Sequence, residues 1–117
     1  MTPTSSPTGK PWAVTAAKVA EVVSRLSADG APSRLIVFGS AARGDLSAAN
    51  DLDLMVIERE LVNRYAETLR LRSLLRDVLM PIDLVVTTEA SFQARSKIPG
   101  TLDYHVAQEG RRLHDAR

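Results

Sequence analysis

The sequence predicts an α/β fold in which a small sheet is flanked by helices, and three observations support this prediction. Short apolar runs typical of strands lie at residues 34–38, 51–57 and 82–87, and segments with the 3.6-residue period of amphipathic helices surround them. The 117 residues suffice for one domain, and 44% hydrophobic with 25% charged residues is a globular composition. The expected order is helix, strand, loop, strand, helix, strand, helix.

The first helix is predicted over residues 12–29, before the first strand. Its apolar positions follow the i, i+3, i+4, i+7 spacing of one helix face: Val19, Val22, Val23 and Leu26. Gly30 is the expected residue just past the last turn, because glycine adopts the left-handed conformation that ends many helices. The strand at residues 34–38 then ends abruptly at a Gly-Ser pair.

The second strand, residues 51–57, separates its side chains into two sets. Since successive side chains point to opposite faces, one face carries Asp51, Asp53 and Met55, and the other carries Leu52, Leu54 and Val56. We expect the second set to face the core and the two acids to face something else.

The remaining elements follow from the same two periods. A second helix is predicted over residues 60–79, with a core stripe of Leu71, Leu74, Leu75 and Val78. Residues 82–87 form the third predicted strand, which is apolar except for Asp83 near its start and Thr87 at its end. A short helix at residues 89–96 and a final helix through about residue 109 complete the chain.

Composition excludes several classes of function. The chain lacks cysteine, so disulfides, thiolate metal sites and cysteine nucleophiles are excluded, and a bound metal would need oxygen or imidazole ligands. A net charge of +1 gives no general field for nucleic acid, so we expect no direct nucleic-acid binding. Without a signal-like segment or an apolar run long enough to span a bilayer, we expect no membrane association and a cytoplasmic location. Residues 1–11 are expected to be a disordered leader, and residues 12–117 the domain.

Asp51 and Asp53 are the first candidate functional residues. A D-x-D pattern alone is weak, but this strand is otherwise apolar, and burying unpaired charge there would cost several kcal/mol. Residues i and i+2 of a strand lie about 6.5 Å apart along the backbone, so their carboxylates can converge on divalent cations. Carboxylate oxygens are suitable ligands for Mg²⁺ or Mn²⁺. The alternative is two ordinary surface acids on an exposed edge strand.

The turn after the first strand supplies the second candidate group. Gly39 and Ser40 can present backbone N–H groups and a hydroxyl to a phosphate, although a plain strand-to-loop turn has the same sequence. The turn is neither a Walker A loop nor a G-x-G-x-x-G fingerprint. Arg43 either contacts phosphate or caps the turn. Asp83 completes the metal site, or takes a proton from an attacking hydroxyl, or pairs with an arginine at the start of its strand.

Taken together, these residues resemble a known family. The run Gly39-Ser40-Ala41-Ala42-Arg43-Gly44-Asp45, then Asp51-Leu52-Asp53 after five residues, with Asp83 in a later strand, is similar to the signature of the minimal nucleotidyltransferases of the DNA polymerase β-like superfamily. The resemblance runs from about residue 35 to the C-terminus. Asn50 departs from the family pattern, which has a serine there. The resemblance implies a polymerase β-like fold with a small mixed sheet.

The resemblance also implies an activity. Asp51 and Asp53 would hold two Mg²⁺ on the triphosphate of ATP, Gly39 and Ser40 would seat its β and γ oxygens, and Asp83 would complete the second metal site and activate the acceptor hydroxyl. Family members of this length are commonly antitoxins of HEPN-domain ribonuclease toxins, and some transfer AMP to a tyrosine of the toxin. We therefore expect a protein adenylyltransferase that forms a hetero-oligomer with such a partner.

Two other functions remain open. A non-catalytic antitoxin of the same fold would neutralise its partner by masking it, but it would have no need for the carboxylates. A phospho-acceptor signalling domain is also a small α/β protein with clustered acids, yet it would place an acid pair after the first strand, where this chain has Gly39 and Ser40.

Overall fold

The computed structural model describes residues 11–44 and 46–117, which form one mixed sheet with helices on both faces. The elements in chain order are α1 Ala16–Asp29, β1 Pro32–Phe38, the 3₁₀ helices Gly39–Arg43 and Leu46–Ala48, β2 Leu52–Glu58, α2 Arg64–Leu74, β3 Ile82–Thr88, α3 Glu89–Arg95, α4 Leu102–Glu109 and β4 Arg111–Asp115. The predicted α/β class and mixed sheet are confirmed. The predicted leader lies outside the described residues, apart from Pro11, and so does Asp45.

The strands lie in the order β3-β2-β1-β4. β1 runs antiparallel to both β2 and β4, whereas β2 and β3 are parallel and are connected through α2. This topology brings the C-terminal end of β1 to the same end of the sheet as the N-terminal ends of β2 and β3. Residues that follow β1 and residues that begin β2 and β3 are therefore neighbours, although up to 44 positions of sequence separate Gly39 from Asp83.

Hydrophobic side chains fill both faces of the sheet. On one face Leu52, Leu54 and Val56 pack with residues of α1 and α2, as the alternation of β2 predicts. On the other face Met55 and Ile57 pack with Phe92 of α3 and Val106 of α4. The face that carries the acids of β2 is thus polar only at its start and becomes core further along. Every residue of β1 is buried, because strands flank it on both sides.

The helix ends are set by capping groups. The Thr15 hydroxyl accepts a hydrogen bond from the Lys18 N–H at 3.2 Å, so α1 begins at Ala16 rather than near residue 12. Gly30 ends α1 with φ +85°, which confirms the predicted stop. The helix predicted over residues 60–79 is shorter at both ends, because Asn63 caps its start by accepting from the Ala66 N–H at 3.0 Å and Leu75 already leaves the helical conformation.

Two features were missing from the sequence-based order. β4 pairs with β1 at the edge of the sheet, and its five residues are mostly polar, so no apolar strand pattern marks them; only Leu113 packs against the core. The loop between β1 and β2 contains the two short 3₁₀ helices. In the part of the chain that the structure describes, no helix has the length and apolar character needed to cross a membrane.

Candidate functional site

The carboxylates predicted from the sequence meet at one end of the sheet. Asp53 is the second residue of β2, and in the sheet it lies opposite Phe38 of β1 on one side and opposite Asp83 of β3 on the other. Since paired residues of adjacent strands direct their side chains to the same face, Asp53 and Asp83 are neighbours on that face. Asp51 immediately precedes β2 and lines a cleft together with Asp83.

Gly39 lies directly against Asp53. Its φ of +72° belongs to the left-handed region that favours glycine, and a Cβ atom built at this position would overlap the Asp53 Oδ2 atom. The glycine is therefore required by the close approach of the β1 turn to the carboxylate. The Gly39 backbone packs directly against the Asp53 side chain, so any larger residue at position 39 would displace the Asp53 carboxylate.

The other two residues that are predicted to bind phosphate lie in the 3₁₀ helix Gly39–Arg43. Ser40 and Arg43 are both exposed, so both side chains are accessible from solvent. Arg43 occupies the last turn of the short helix and has no ion-pair partner among the described residues. Neither its proposed phosphate contact nor its capping role is tested by this arrangement.

The electrostatics of Asp53 show that the acids are crowded. The pKa of Asp53 is raised, first by its burial and then by the negative charges of Asp51 and Asp83. Within residues 11–44 and 46–117, no lysine or arginine forms an ion pair with any of these three carboxylates. The described residues therefore form no ion pair that neutralises the negative charge at this end of the sheet.

A cleft of about 420 Å³ opens beside these acids. Asp51 and Asp83 lie at its polar side together with two arginines, Arg72 of α2 and Arg76 just beyond it. Its remaining walls are largely apolar and come from the end of α2, the following turn and β3: Leu75, Val78, Met80, Pro81, Ile82 and Leu84. Sequence reasoning missed both arginines, because on a helical pattern they read as ordinary solvent-facing positions.

The residue types at this end of the sheet suit a hard divalent cation. Carboxylate oxygens are the ligands that Mg²⁺ prefers, and the uncompensated charge on the crowded Asp53 would be relieved by a cation. Among the described side chains, no group of three or more Asp, Glu or His residues is gathered closely enough to form a ready-made metal cage. Mg²⁺ is usually held by only one or two carboxylates together with substrate phosphates and water, so this arrangement fits it. The set Asp51, Asp53 and Asp83 stays a prediction as a metal site.

The fold and the match to a family model together identify a protein of the nucleotidyltransferase superfamily. The chain matches the family model for "Polymerase beta, Nucleotidyltransferase" over residues 20–116, and it therefore belongs to that family. The resemblance inferred from the motifs is confirmed at the level of the superfamily.

One solved structure has a similar fold. It is that of a candidate nucleotidyltransferase from Sulfolobus solfataricus, determined at 1.40 Å, which superposes with a TM-score of 0.51 at 18% identity over 77% of this chain and 85% of that one. At this identity the similarity concerns the fold alone. No curated protein sequence matches the chain.

Proposed function

We propose that the protein is a Mg²⁺-dependent nucleotidyltransferase that transfers a nucleoside monophosphate, AMP from ATP, to a hydroxyl group of a partner protein. One observation supports this proposal above the others. Asp53 is in register with Asp83 and in contact with Gly39, so the two carboxylates and the turn proposed to bind phosphate adjoin one another. A structural role alone would not explain why these acids lack a cationic partner among the described residues.

In the proposed reaction each residue has a distinct role. Asp51 and Asp53 would hold Mg²⁺, with Asp83 as a further ligand, and bound Mg²⁺ would neutralise charge on the triphosphate. The backbone at Gly39 and the Ser40 hydroxyl would bind the β and γ phosphates. The acceptor oxygen forms a bond to the α-phosphorus while the bond from that phosphorus to the bridging oxygen breaks. Asp83 accepts the hydroxyl proton, and pyrophosphate leaves.

The proposed partner is a HEPN-type ribonuclease toxin, which the protein would neutralise as its antitoxin in a hetero-oligomer. The support for this part of the proposal is the resemblance of the motifs at residues 39–45 and 51–53, and of Asp83, to minimal nucleotidyltransferases. The chemistry requires only an accessible hydroxyl, and Ser40 and Asp83 are exposed to whatever protein approaches the site.

The test uses the product of an adjacent reading frame that encodes a HEPN-type protein with the R-x-x-x-x-H pattern. This protein is incubated with the full chain, ATP and Mg²⁺, and its intact mass is measured. We expect a mass increase of one or more AMP units, and none with the Asp51→Asn/Asp53→Asn variant. An unchanged mass across all four nucleoside triphosphates would refute the proposal.

The same pair of proteins tests the alternative of a masking antitoxin. If the protein acts only by covering the toxin, the Asp51→Asn/Asp53→Asn variant still suppresses the ribonuclease activity at stoichiometric concentrations. If transfer is required, the variant leaves the ribonuclease active, and the wild-type protein protects at substoichiometric amounts because each molecule modifies many toxins.

A further inference from the structure

Two arginines in the cleft beside the acids are not used by the proposed chemistry. Arg72 and Arg76 are exposed, and neither has an ion-pair partner among the described residues. Other arginines among the described residues are paired with acids, as Arg25 is with Asp77 and Arg70 is with Asp29. The two cleft arginines therefore present positive charge to an approaching molecule.

The position of the two arginines relative to the acids indicates that the approaching molecule is the acceptor. The sheet order places Gly39 and Ser40 on the β1 side of Asp53, whereas Asp83 and the cleft lie on the β3 side. In phosphoryl-transfer reactions the attacking and leaving oxygens lie roughly in line through the reacting phosphorus. With the β and γ phosphates at the Gly39 turn, an in-line acceptor hydroxyl would approach from the β3 side, where Asp83 lines the cleft.

The outer face of α2 extends this surface. Tyr65, Leu69 and Arg72 follow one another at i, i+4 and i+7, so they lie on one face of the helix. Tyr65 is 74% exposed and Leu69 is 49% exposed, which is unusual for large apolar side chains. A surface of exposed apolar groups thus leads along α2 towards the arginines and the cleft.

We propose that the cleft and the outer face of α2 bind the acceptor protein through an acidic segment that flanks the modified hydroxyl. This inference rests on the proposed function, because it names the substrate chemistry of the same site. Glutamate or aspartate side chains of the acceptor pair with Arg72 and Arg76 and thereby offset the repulsion that an acidic segment would otherwise meet at Asp51 and Asp83. A basic acceptor segment would face the two guanidinium groups and be excluded.

The experiment uses two tyrosine-containing random copolymers of matched tyrosine content, poly(Glu,Tyr) and poly(Lys,Tyr), with the full chain. Binding of the fluorescein-labelled copolymers is measured by anisotropy, and transfer is measured with ATP labelled on its α-phosphate. The wild-type protein should prefer poly(Glu,Tyr) in both assays. The Arg72→Glu/Arg76→Glu variant should lose about tenfold in affinity for poly(Glu,Tyr) and reverse the preference, since rim charges act through complementarity.

The matched control is Lys97→Glu/Arg111→Glu, which makes the same change of net charge at two exposed positions that do not line the cleft. This control should keep the wild-type preference. Equal loss of poly(Glu,Tyr) binding in the control and the cleft variant would overturn the inference, because net charge alone would then explain it.

Two further outcomes separate this inference from the proposed function. If neither copolymer is labelled but the cleft variant reverses the binding preference, transfer to tyrosine fails as a function while the acidic docking surface stands. If labelling occurs but both proteins show the same preference, transfer stands and the docking surface is refuted. An ATP affinity that falls as much as the copolymer affinity in an Arg72→Gln/Arg76→Gln variant would assign the arginines to nucleotide phosphates and overturn the inference.

Discussion

The two ends of the sheet hold carboxylates in opposite ways. At the end where β2 and β3 begin, Asp51, Asp53 and Asp83 have no ion-pair partner among the described residues. At the end where β1 begins and β3 ends, Glu89 forms a bidentate ion pair with Arg34. Arg34 Nη2 donates to Glu89 Oε1 at 2.7 Å, and Arg34 Nε donates to Glu89 Oε2 at 3.0 Å. The Ser33 hydroxyl lies 2.6 Å from the same Glu89 Oε2 atom.

A second arginine neutralises acids near that paired end. Arg70 donates to Asp29 and to Glu67, with N–O distances of 2.8 Å in each ion pair. Arg70 is the first cause of the lowered pKa of both carboxyls, as Arg34 is for Glu89. The pKa of Asp53 shifts in the opposite direction.

This difference indicates that the acids at one end of the sheet contribute to stability, whereas those at the other end are available for function. At the paired end Arg34 and Arg70 form ion pairs with acids, and removing one partner of such a pair costs stability. The unpaired acids at the other end repel one another, and a bound cation would relieve this repulsion. Substitutions at the two ends should therefore affect activity and stability in opposite proportions.

The largest expected effect is loss of activity on neutralising the unpaired acids. Asp53→Asn/Asp83→Asn should lower the rate of nucleotidyl transfer by about 10³-fold, because the proposed Mg²⁺ ligands would be lost. Its free energy of unfolding in urea should equal or exceed that of the wild type, since the mutual repulsion of the carboxylates disappears. A clear loss of stability would show that these acids hold the fold together.

The matching change at the paired end should destabilise the protein. Glu89→Gln leaves the Arg34 guanidinium without its carboxylate in a largely buried position, and we expect a loss of about 2 kcal/mol in the free energy of unfolding. Transfer activity of the folded variant should stay within about twofold of the wild type, since Glu89 lies at the far end of the sheet. A drop in activity comparable to that of the aspartate variant would contradict the assignment of Glu89 to stability alone.

Mg²⁺ should stabilise the protein by binding at the end of the sheet that carries the unpaired acids. At a concentration tenfold above its dissociation constant, the ion should raise the free energy of unfolding by about 1.4 kcal/mol. Thermal unfolding with MgCl₂, against NaCl at equal ionic strength, measures this. The same shift in Asp53→Asn/Asp83→Asn would place the ion elsewhere.

The smallest effect concerns Glu58, a buried acid near the paired end that Arg70 does not neutralise. Its side chain is 4% exposed, and burial, reinforced by Glu67, raises its pKa from 4.5 to about 8. The folded chain therefore keeps the proton on Glu58 over a range in which the unfolded chain has lost it. The contribution of Glu58 to stability thus falls as the pH rises from about 4.5 to about 8.

Glu58→Gln should remove this dependence, because the amide is neutral at every pH. Relative to the wild type, we expect a gain of about 1 kcal/mol at pH 8 that shrinks towards pH 5. Chemical unfolding at the two pH values measures it. A pH-independent difference would mean that the titrating group is Glu67 or Asp29, which face Glu58 beside Arg70.

Much of the fold could be predicted from local patterns. The strands around Leu35, Leu54 and Val85 were found because continuous or alternating apolar residues report burial directly. Helix ends were less accurate, since Thr15 and Asn63 act as caps only through hydrogen bonds that the apolar period does not contain. β4 was missed because its pairing with β1, and not its composition, makes it a strand.

The candidate site was predicted in part for the same reason. Asp51, Asp53 and Asp83 could be singled out because acids interrupt apolar runs, and the structure brings them to one end of the sheet. Arg72 and Arg76 carried no such signal, because a charged residue on a helix is ordinary until the neighbouring chain is known.

By itself, the sequence determined most of the strands and helices, though not β4, and it determined which face of β2 enters the core, because these features depend on residues within a few positions of one another. Only the tertiary structure decided that Asp53 lies in register with Asp83 and against Gly39, that Arg34 and Arg70 are paired, and that Arg72 and Arg76 have no ion-pair partner among the described residues. These contacts join residues distant along the chain, and their energies depend on the packing of the whole domain.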